Sequence, residues 1–342
     1  MNYSSTLNQL LVKTVFYMVY NKGQFWYNLY GELKMKEAKT NNLELFHDVV
    51  EESNNLLYEA THKPYFELID MTCKNILENE IISDVDLETE NKLKEIYSRL
   101  NDVDFSVEDV RKAMQAIFLR GFKEMKMPNS NTTPDTLGIF MTYLLSKMIN
   151  KKEISIVDPM CGVGNLLFTI SNHIDKETNL YACDNNYWMT DLTRITADLL
   201  NKPVEIFFQD CESLFLSGMD AVVFDMPNCV KEKDNFFPYD AMLHFADYLA
   251  DGGAMIGILQ NDFFDYDKNQ EFKKALFEKV SLVGMCELPD NMFAKGKAKI
   301  ILVLQKKEIK DHCFMVKLPS FSNVNDFNES LLNIEAWFEK NK

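Results

Sequence analysis

Apolar residues between positions 41 and 127 recur at intervals of three and four along the chain. Phe46 and Val50 show this spacing early in the region, and Val110 and Met114 show it near the end. Polar residues occupy the positions between them. This is the pattern of amphipathic helices, and it predicts an all-helical N-terminal domain.

Local signals divide that helical region. Pro64 and the acidic turn at 83–86 interrupt the apolar spacing. Ser106 is followed by Glu108 and Asp109, which places a hydroxyl and two carboxylates where the start of a helix favours them. A helix is therefore expected to begin after Ser106.

From residue 154 the pattern changes to short β-branched runs that alternate with helical stretches. Seven strands are predicted: 154–157, 180–183, 204–208, 221–224, 254–259, 281–287 and 299–305. Strands that alternate with helices indicate an α/β fold with a doubly wound, Rossmann-like sheet and ligands at the carboxyl ends of its strands. The last two strands are joined by residues 288–298, which read as a long loop, so the final strand is expected to be antiparallel.

These patterns give a domain plan. We expect an N-terminal extension at 1–40, a helical domain at 41–130, an α/β domain at 131–310, and a C-terminal strand and helix at 311–342 that extend it. Residues 127–133 lack periodicity and form the expected junction. The C-terminal helix is amphipathic around Ile334, Trp337 and Phe338.

The extension at 1–40 has two interpretations. Residues 31–35 read Gly-Glu-Leu-Lys-Met and can be encoded by a purine-rich ribosome-binding sequence followed by a start codon, which predicts that residues 1–34 are absent from, or dispensable in, the native protein. An ordinary amphipathic helix that packs on the body explains the same residues equally well.

Composition excludes several classes of protein. Apolar residues make up 46% and charged residues 26% of 342 positions, which is typical of a folded globular chain. No apolar stretch near the start reaches the roughly 20 residues of a membrane span. The 7 cysteines form no Cys-x-x-Cys pair, so free thiols in a reducing cytoplasm are expected and no metal site is.

The net charge of −16 is unevenly distributed, because residues 41–110 alone hold 18 acidic and 5 basic side chains. A surface of this sign repels phosphates. Five lysines near the expected cleft are the basic residues available to nucleic acid: Lys231, Lys233, Lys295, Lys297 and Lys299.

The strongest chemical signal is a glycine turn after the first strand. Asp158 ends the strand, and Gly162 and Gly164 follow it, which allows a sharp turn and close approach of backbone amides to a ligand. A nicotinamide fingerprint requires a third glycine where Leu167 stands, and a P-loop requires Gly-Lys-Ser/Thr. Both phosphate-binding interpretations therefore fail.

Three carboxylates close three successive strands. Asp158 suits the ammonium and sulfonium groups of S-adenosylmethionine, Asp184 is placed to bind both ribose hydroxyls, and Asp210 can accept from the adenine amine. Each aspartate alone is also explained as a turn former. Their shared register favours a nucleoside cofactor that carries no phosphate.

The motif Asp158-Pro-Met-Cys-Gly-Val-Gly-Asn-Leu-Leu resembles the first motif of the N6-adenine branch of class I S-adenosylmethionine-dependent methyltransferases. Thr133-Pro134 ahead of it resembles the helix start that contacts methionine in that branch. The order of motifs resembles type I modification subunits. With Glu287–Phe293 and Lys299–Lys306, the chain is most similar to the short YtxK-like methyltransferases of Gram-positive bacteria.

The resemblance implies that the domain at 131–310 is an S-adenosylmethionine-binding methyltransferase domain, and with the residue pattern it assigns a cofactor site for S-adenosyl-L-methionine. Its expected residues are Thr133, Pro134, Asp158, Met160, Gly162, Gly164, Asn165, Leu166, Asp184, Asn185, Asp210 and Cys211.

The fourth strand ends Asp225-Met226-Pro227-Asn228, where similar amino-methylating enzymes carry Asp/Asn-Pro-Pro-aromatic. The resemblance implies that Asp225, Pro227 and Asn228 are the catalytic residues, with Asp225 accepting a hydrogen bond from the target amine. Asn228 replaces the ring that stacks on a base. Phe236, Phe237 and Tyr239 follow; they either replace that ring or anchor the loop under the next helix, and packing is favoured.

Two functions remain open at this stage. The first is an S-adenosylmethionine-dependent N-methyltransferase of unidentified substrate, with weak DNA binding in isolation because no reading module is visible. The second is a degenerate cofactor-binding protein that acts through a protein partner, with the acidic helical region as the contact surface. The same surface is the candidate contact for a homodimer.

Overall fold

The protein is described here by a computed structural model, in which residues 42–128, 132–229, 236–267, 270–293, 298–309, 313–321 and 323–341 are described. The extension at 1–40 and four of the five candidate lysines, Lys231, Lys233, Lys295 and Lys297, lie outside these residues. No described helix combines the length and apolar character needed to cross a membrane.

Four helices form the N-terminal region: α1 (Asn42–Thr61), α2 (Tyr65–Glu78), α3 (Leu87–Ser98) and α4 (Val107–Glu124). Their starts follow the local signals in the sequence. Pro64 precedes α2, Asp86 caps α3 by accepting from the Thr89 amide, and Ser106 forms a capping box with Asp109 at the start of α4. These caps satisfy amides that the first turn of a helix leaves without partners.

The rest of the chain alternates strands and helices. In order these are α5 (Asp135–Met148), β1 (Glu153–Asp158), α6 (Asn165–His173), β2 (Glu177–Asp184), α7 (Tyr187–Leu199), β3 (Val204–Phe208), β4 (Met219–Asp225), α8 (Phe237–Tyr248), β5 (Leu249–Gln260), α9 (Glu271–Lys279), β6 (Ser281–Glu287), β7 (Lys299–Gln305), β8 (Phe314–Lys317) and α10 (Val324–Lys340).

The strands form one sheet in the order β3-β2-β1-β4-β5-β7-β6-β8. Strands β3, β2, β1, β4 and β5 are mutually parallel, and β7 is antiparallel to both β5 and β6. The predicted α/β fold class and antiparallel strand are thus confirmed. Within the described residues the sheet has eight strands rather than seven, because β8 in the C-terminal extension pairs with β6.

The helical region packs against the sheet domain close to the glycine turn. Phe66 and Phe122 of the helical region share one apolar cluster with Phe168 of α6 and Leu192 of α7. Residues 135–145 of α5 are buried, and Phe140 of this helix contacts Phe327 of α10. The turn between β1 and α6 is therefore supported from the helical region as well as from the sheet.

Candidate functional site

The site lies where the parallel strands end. Asp158, Asp184 and Asp225 are the last residues of β1, β2 and β4, and these strands are neighbours in the sheet. Asp158 is close enough to Asp184 and Asp225 for their charges to raise its pKa. The sheet order therefore gathers three of the carboxylates that the sequence singled out.

The glycine turn connects β1 to α6. Gly162 and Gly164 have φ of 54° and 76°, in the left-handed region. A Cβ on Gly164 would lie 2.6 Å from the Phe168 ring and 3.0 Å from the Thr193 methyl group. Gly164 is thus required both by its backbone conformation and by close packing.

This packing gives a stability prediction with a matched control. Gly218 has the same φ of +76°, but a Cβ added there would meet no atom within 4 Å. Both Gly→Ala substitutions should lower the free energy of unfolding by about 1 to 2 kcal/mol, because alanine disfavours a positive φ. G164A should lower it by about 1 to 3 kcal/mol more, because the added methyl group overpacks the site. Urea unfolding measures both; equal losses in the two variants would show that Phe168 yields without strain.

Asp184 holds the turn and retains capacity for a ligand. Its two oxygens accept from the Gly162 amide at 3.0 Å and the Asn186 amide at 2.9 Å. A carboxylate has about four lone-pair positions, so each oxygen can still accept from a hydroxyl. Burial raises its pKa, and the backbone donors at Asn186, Gly162 and Asn185 oppose that rise.

Asp158 is covered by the turn. Its side chain is 1% exposed, and its Oδ1 accepts from the Met160 amide at 3.1 Å. Burial raises the pKa of this carboxyl well above its usual range, and the charges of Asp184 and Asp225 raise it further. Asp158 therefore stabilises the turn by accepting from the Met160 amide. None of the described residues places a cation beside its carboxyl group.

That raised pKa predicts a pH-dependent effect of D158N. Asp158 has a higher pKa in the folded protein than in the unfolded chain. At pH values between the two, the folded state binds more protons than the unfolded state, so the free energy of unfolding of the native sequence falls as pH rises. D158N retains the acceptor for Met160 and removes the charge. Its stability relative to the native sequence should rise from acidic to neutral pH, as measured by urea unfolding; a difference that does not change with pH would contradict this.

The adenine end of the predicted site is more open. Asp210 follows β3 and caps a short 3₁₀ turn by accepting from the Glu212 amide at 3.0 Å. Asn185 is exposed, and Cys211 is buried in the apolar cluster beneath. The structure thus places Asp210 and Asn185 at the surface beside Asp184, and Cys211 behind them.

Asp225 lies opposite a lysine. Lys299 Nζ is 2.6 Å from its Oδ1, and the Thr133 hydroxyl is 3.3 Å from its Oδ2. Burial raises the pKa of Asp225, while the ammonium of Lys299 and the two hydrogen bonds lower it. Lys299 is therefore paired with the candidate catalytic carboxylate. The expectation that this lysine is available to bind a phosphate was wrong, because Asp225 already engages its ammonium group.

The residues after Asp225 lack a stacking ring. Pro227 and Asn228 are exposed, and the Met226 amide is fixed by the Ile258 carbonyl. Of the candidate rings, Phe236 is 4% exposed. Tyr239 stacks on Phe272 with a centroid distance of 3.9 Å and donates to the Phe263 carbonyl. For these two rings the packing interpretation is confirmed.

The methionine end of the predicted site contains side chains that are already bonded to protein. Asn165 donates to the Thr133 carbonyl at 2.6 Å and to Asp135 Oδ1 at 3.1 Å. Leu166 is buried in the core, and Pro134 is exposed. Thr133, Asn165 and Asp225 are thus brought together, whereas Leu166 points into the core cluster.

Sequence reasoning missed two residues of this arrangement. Asp135 follows the Thr-Pro pair directly, and Arg111 of α4 reaches both Asp135 and Asn165. Asp135 could have been suspected from its position. Arg111 carried no local signal for this site, since its partners here, Asp135 and Asn165, are 24 and 54 residues away.

Comparison with known families matches two parts of the chain. Residues 44–122 match the YtxK N-terminal helical domain, and residues 225–336 match the N-6 DNA methylase family. The protein YtxK of Bacillus subtilis, described as uncharacterized, is 31% identical over 287 residues, covering 75% of this chain and 85% of that protein.

Solved structures share the fold. A protein from Listeria monocytogenes, described as a candidate class I S-adenosylmethionine-dependent methyltransferase, superposes with a TM-score of 0.78 at 24% identity over 87% of this chain and 99% of its own. The type I restriction-modification methyltransferase subunit from Streptococcus thermophilus gives 0.57 at 14% identity over 98% and 89%. These structures share the fold, and the match to YtxK shows that the chain belongs to the YtxK family.

Proposed function

We propose that this protein binds S-adenosylmethionine and transfers its methyl group to an amino nitrogen. The observation that supports this most is the meeting of Asp158, Asp184 and Asp225 at the ends of three neighbouring strands. Carboxyl groups here offer acceptors to the hydroxyls of a nucleoside, and an ionised carboxylate such as Asp184 repels the phosphates of common nucleotides.

The order of the strands orients the cofactor in this proposal. Adenine would lie at the end of β3 near Asp210, and the ribose at β2 on the free lone pairs of Asp184. The methionine would lie over the turn at Gly162 and beside Thr133. Thr133 is hydrogen-bonded to Asp225 of β4, so the reacting end would lie at β4, away from the nucleoside.

Asp225 is the residue we assign to the acceptor amine. The bound cofactor supplies an electrophilic methyl group. Asp225 Oδ1 would accept an N–H of the amine and direct the nitrogen lone pair toward that group. Lys299 already donates to this oxygen, so an acceptor amine has to displace or share the contact with the lysine ammonium.

Ligand-induced thermal stabilisation tests the cofactor assignment. S-adenosylmethionine at about 100 times its Kd adds about 2.7 kcal/mol to folding stability, so the Tm should rise. ATP has the same adenosine but carries phosphates that the carboxylate of Asp184 repels, so it should raise the Tm less. Absence of a shift with S-adenosylmethionine, or an equal shift with ATP, would contradict the proposal.

A second candidate function is a cofactor-binding protein that has lost transferase activity and acts through a protein partner. The exposed Asn228, the packed Phe236 and Tyr239, and the pairing of Asp225 with Lys299 favour it. Both candidates predict cofactor binding. Only the first predicts that cofactor is consumed in the presence of an acceptor.

For DNA we predict weak, salt-sensitive binding and no sequence-specific methylation by the isolated chain. Substantial DNA affinity typically neutralises 6 to 10 phosphates, whereas the net charge is −16 and Lys299 is engaged by Asp225. Tritiated cofactor incubated with genomic DNA from a methylation-free host measures this. Robust label at a defined sequence motif would contradict the prediction.

A further inference from the structure

Arg111 is a fully buried cation that joins the helical region to the sheet domain. Its side chain is 1% exposed. It binds Glu108 through two contacts of 2.8 Å and Asp135 through two contacts of 2.8 and 2.9 Å, and it reaches Asn165 Oδ1 at 2.7 Å. These contacts use all five N–H donors of the guanidinium.

Arg111 holds the oxygen side of the Asn165 amide. A guanidinium has donors and no acceptor, so the Asn165 atom that faces it must be the oxygen. The Asn165 nitrogen is then turned toward the Thr133 carbonyl, 2.6 Å away. Without Arg111 the Asn165 oxygen loses this donor, and the described contacts that are left hold the amide from its nitrogen side, at the Thr133 carbonyl and Asp135 Oδ1.

The contacts continue to the reacting end of the site. Thr133, whose carbonyl Asn165 holds, donates its hydroxyl to Asp225. Asn165 is also the first residue of α6, immediately after Gly164. One guanidinium from α4 therefore fixes both segments that border the methionine end, namely the start of α5 and the glycine turn.

We propose that Arg111 is a positioning residue for the methionine end of the cofactor, so that the helical region is a working part of the cofactor site. This inference rests on the proposed binding of S-adenosylmethionine. Arg111 touches no cofactor atom in this account; it acts through Asn165 and Asp135. Among the described residues, Asp184 at the nucleoside end touches none of the side chains of this network; its link to the turn is the Gly162 amide, three residues before Asn165.

The two ends can be separated by ligand choice. 5′-Methylthioadenosine contains the adenosine and lacks the amino and carboxylate groups of methionine. Calorimetry on the full chain should show that R111K weakens S-adenosylmethionine binding about tenfold or more and changes methylthioadenosine binding less than about twofold. Lysine retains the charge but cannot bridge three partners, because it lacks the planar fork of donors.

The matched control is R120K on the same helix. Arg120 pairs with Glu124 and Glu51 within the helical region, and its replacement should leave both affinities unchanged. D135N serves as a second variant if R111K does not fold, and it should show the same selective loss. Equal affinities in native protein and R111K, or equal losses for both ligands, would overturn the inference. If the native protein binds neither ligand, the proposed function itself fails.

Discussion

Replacing Asp225 with alanine is expected to destabilise the folded protein by about 3 kcal/mol, because it leaves the ammonium of Lys299 buried without its partner. Lys299 is 9% exposed and begins β7, which is held by β5 on one side and β6 on the other. The lysine therefore has little freedom to turn toward water. Urea unfolding measures the loss.

The partner variant should cost less. In K299M, Asp225 can take up a proton, since burial already raises its pKa, and the Thr133 hydroxyl still donates to it. The double variant D225A/K299M removes both charges. Its loss of unfolding free energy should be smaller than the sum of the two single losses by about 1 kcal/mol or more.

Glu287 and Lys317 provide a control pair in the same sheet. They are 2.7 Å apart, with side chains 45% and 67% exposed. Their substitutions should combine additively, because water screens an exposed pair. Additive effects at Asp225 and Lys299 as well would contradict the conclusion that this ion pair is structurally coupled.

Hydrophobic spacing predicted most of the sheet, because each strand is a local run of buried side chains. The bounds of β3, β6 and β7 agree with the structure. Strand β5 starts at Leu249, five residues before the prediction. An Asp-Gly-Gly sequence is typical of a turn, yet Gly252 and Gly253 exchange hydrogen bonds with Lys306 and so continue the ladder.

The eighth strand shows the limit of local reasoning. Residues 314–317 alternate in burial as a strand does, and a C-terminal strand was expected. Its place in the sheet depends on β6, about 30 residues earlier. Pairing over such a distance is set by which edge is free, and no pattern within the segment carries that information.

The residues of the candidate site also fall into those that local sequence signals predict and those that depend on long-range packing. Gly162, Gly164 and Asp184 could be placed from sequence because glycine turns and strand ends are local features. Arg111 could not, since its contacts form only when α4 packs against α5 and α6. Lys299 was expected near the cleft, but its pairing with Asp225 depends on the antiparallel register that aligns it with Gln260 of β5.

The measurement that tests the account most directly is a calorimetric titration with S-adenosylmethionine. The native protein should bind it, and D184A should weaken binding by about 1 to 3 kcal/mol by leaving two ribose hydroxyls without acceptors. The control D198A removes an exposed carboxylate on α7 and should leave binding unchanged. We predict that the native protein and D198A give the same heat of binding and that D184A gives a weaker one. The absence of any heat of binding for the native protein at millimolar cofactor would contradict the proposed cofactor site.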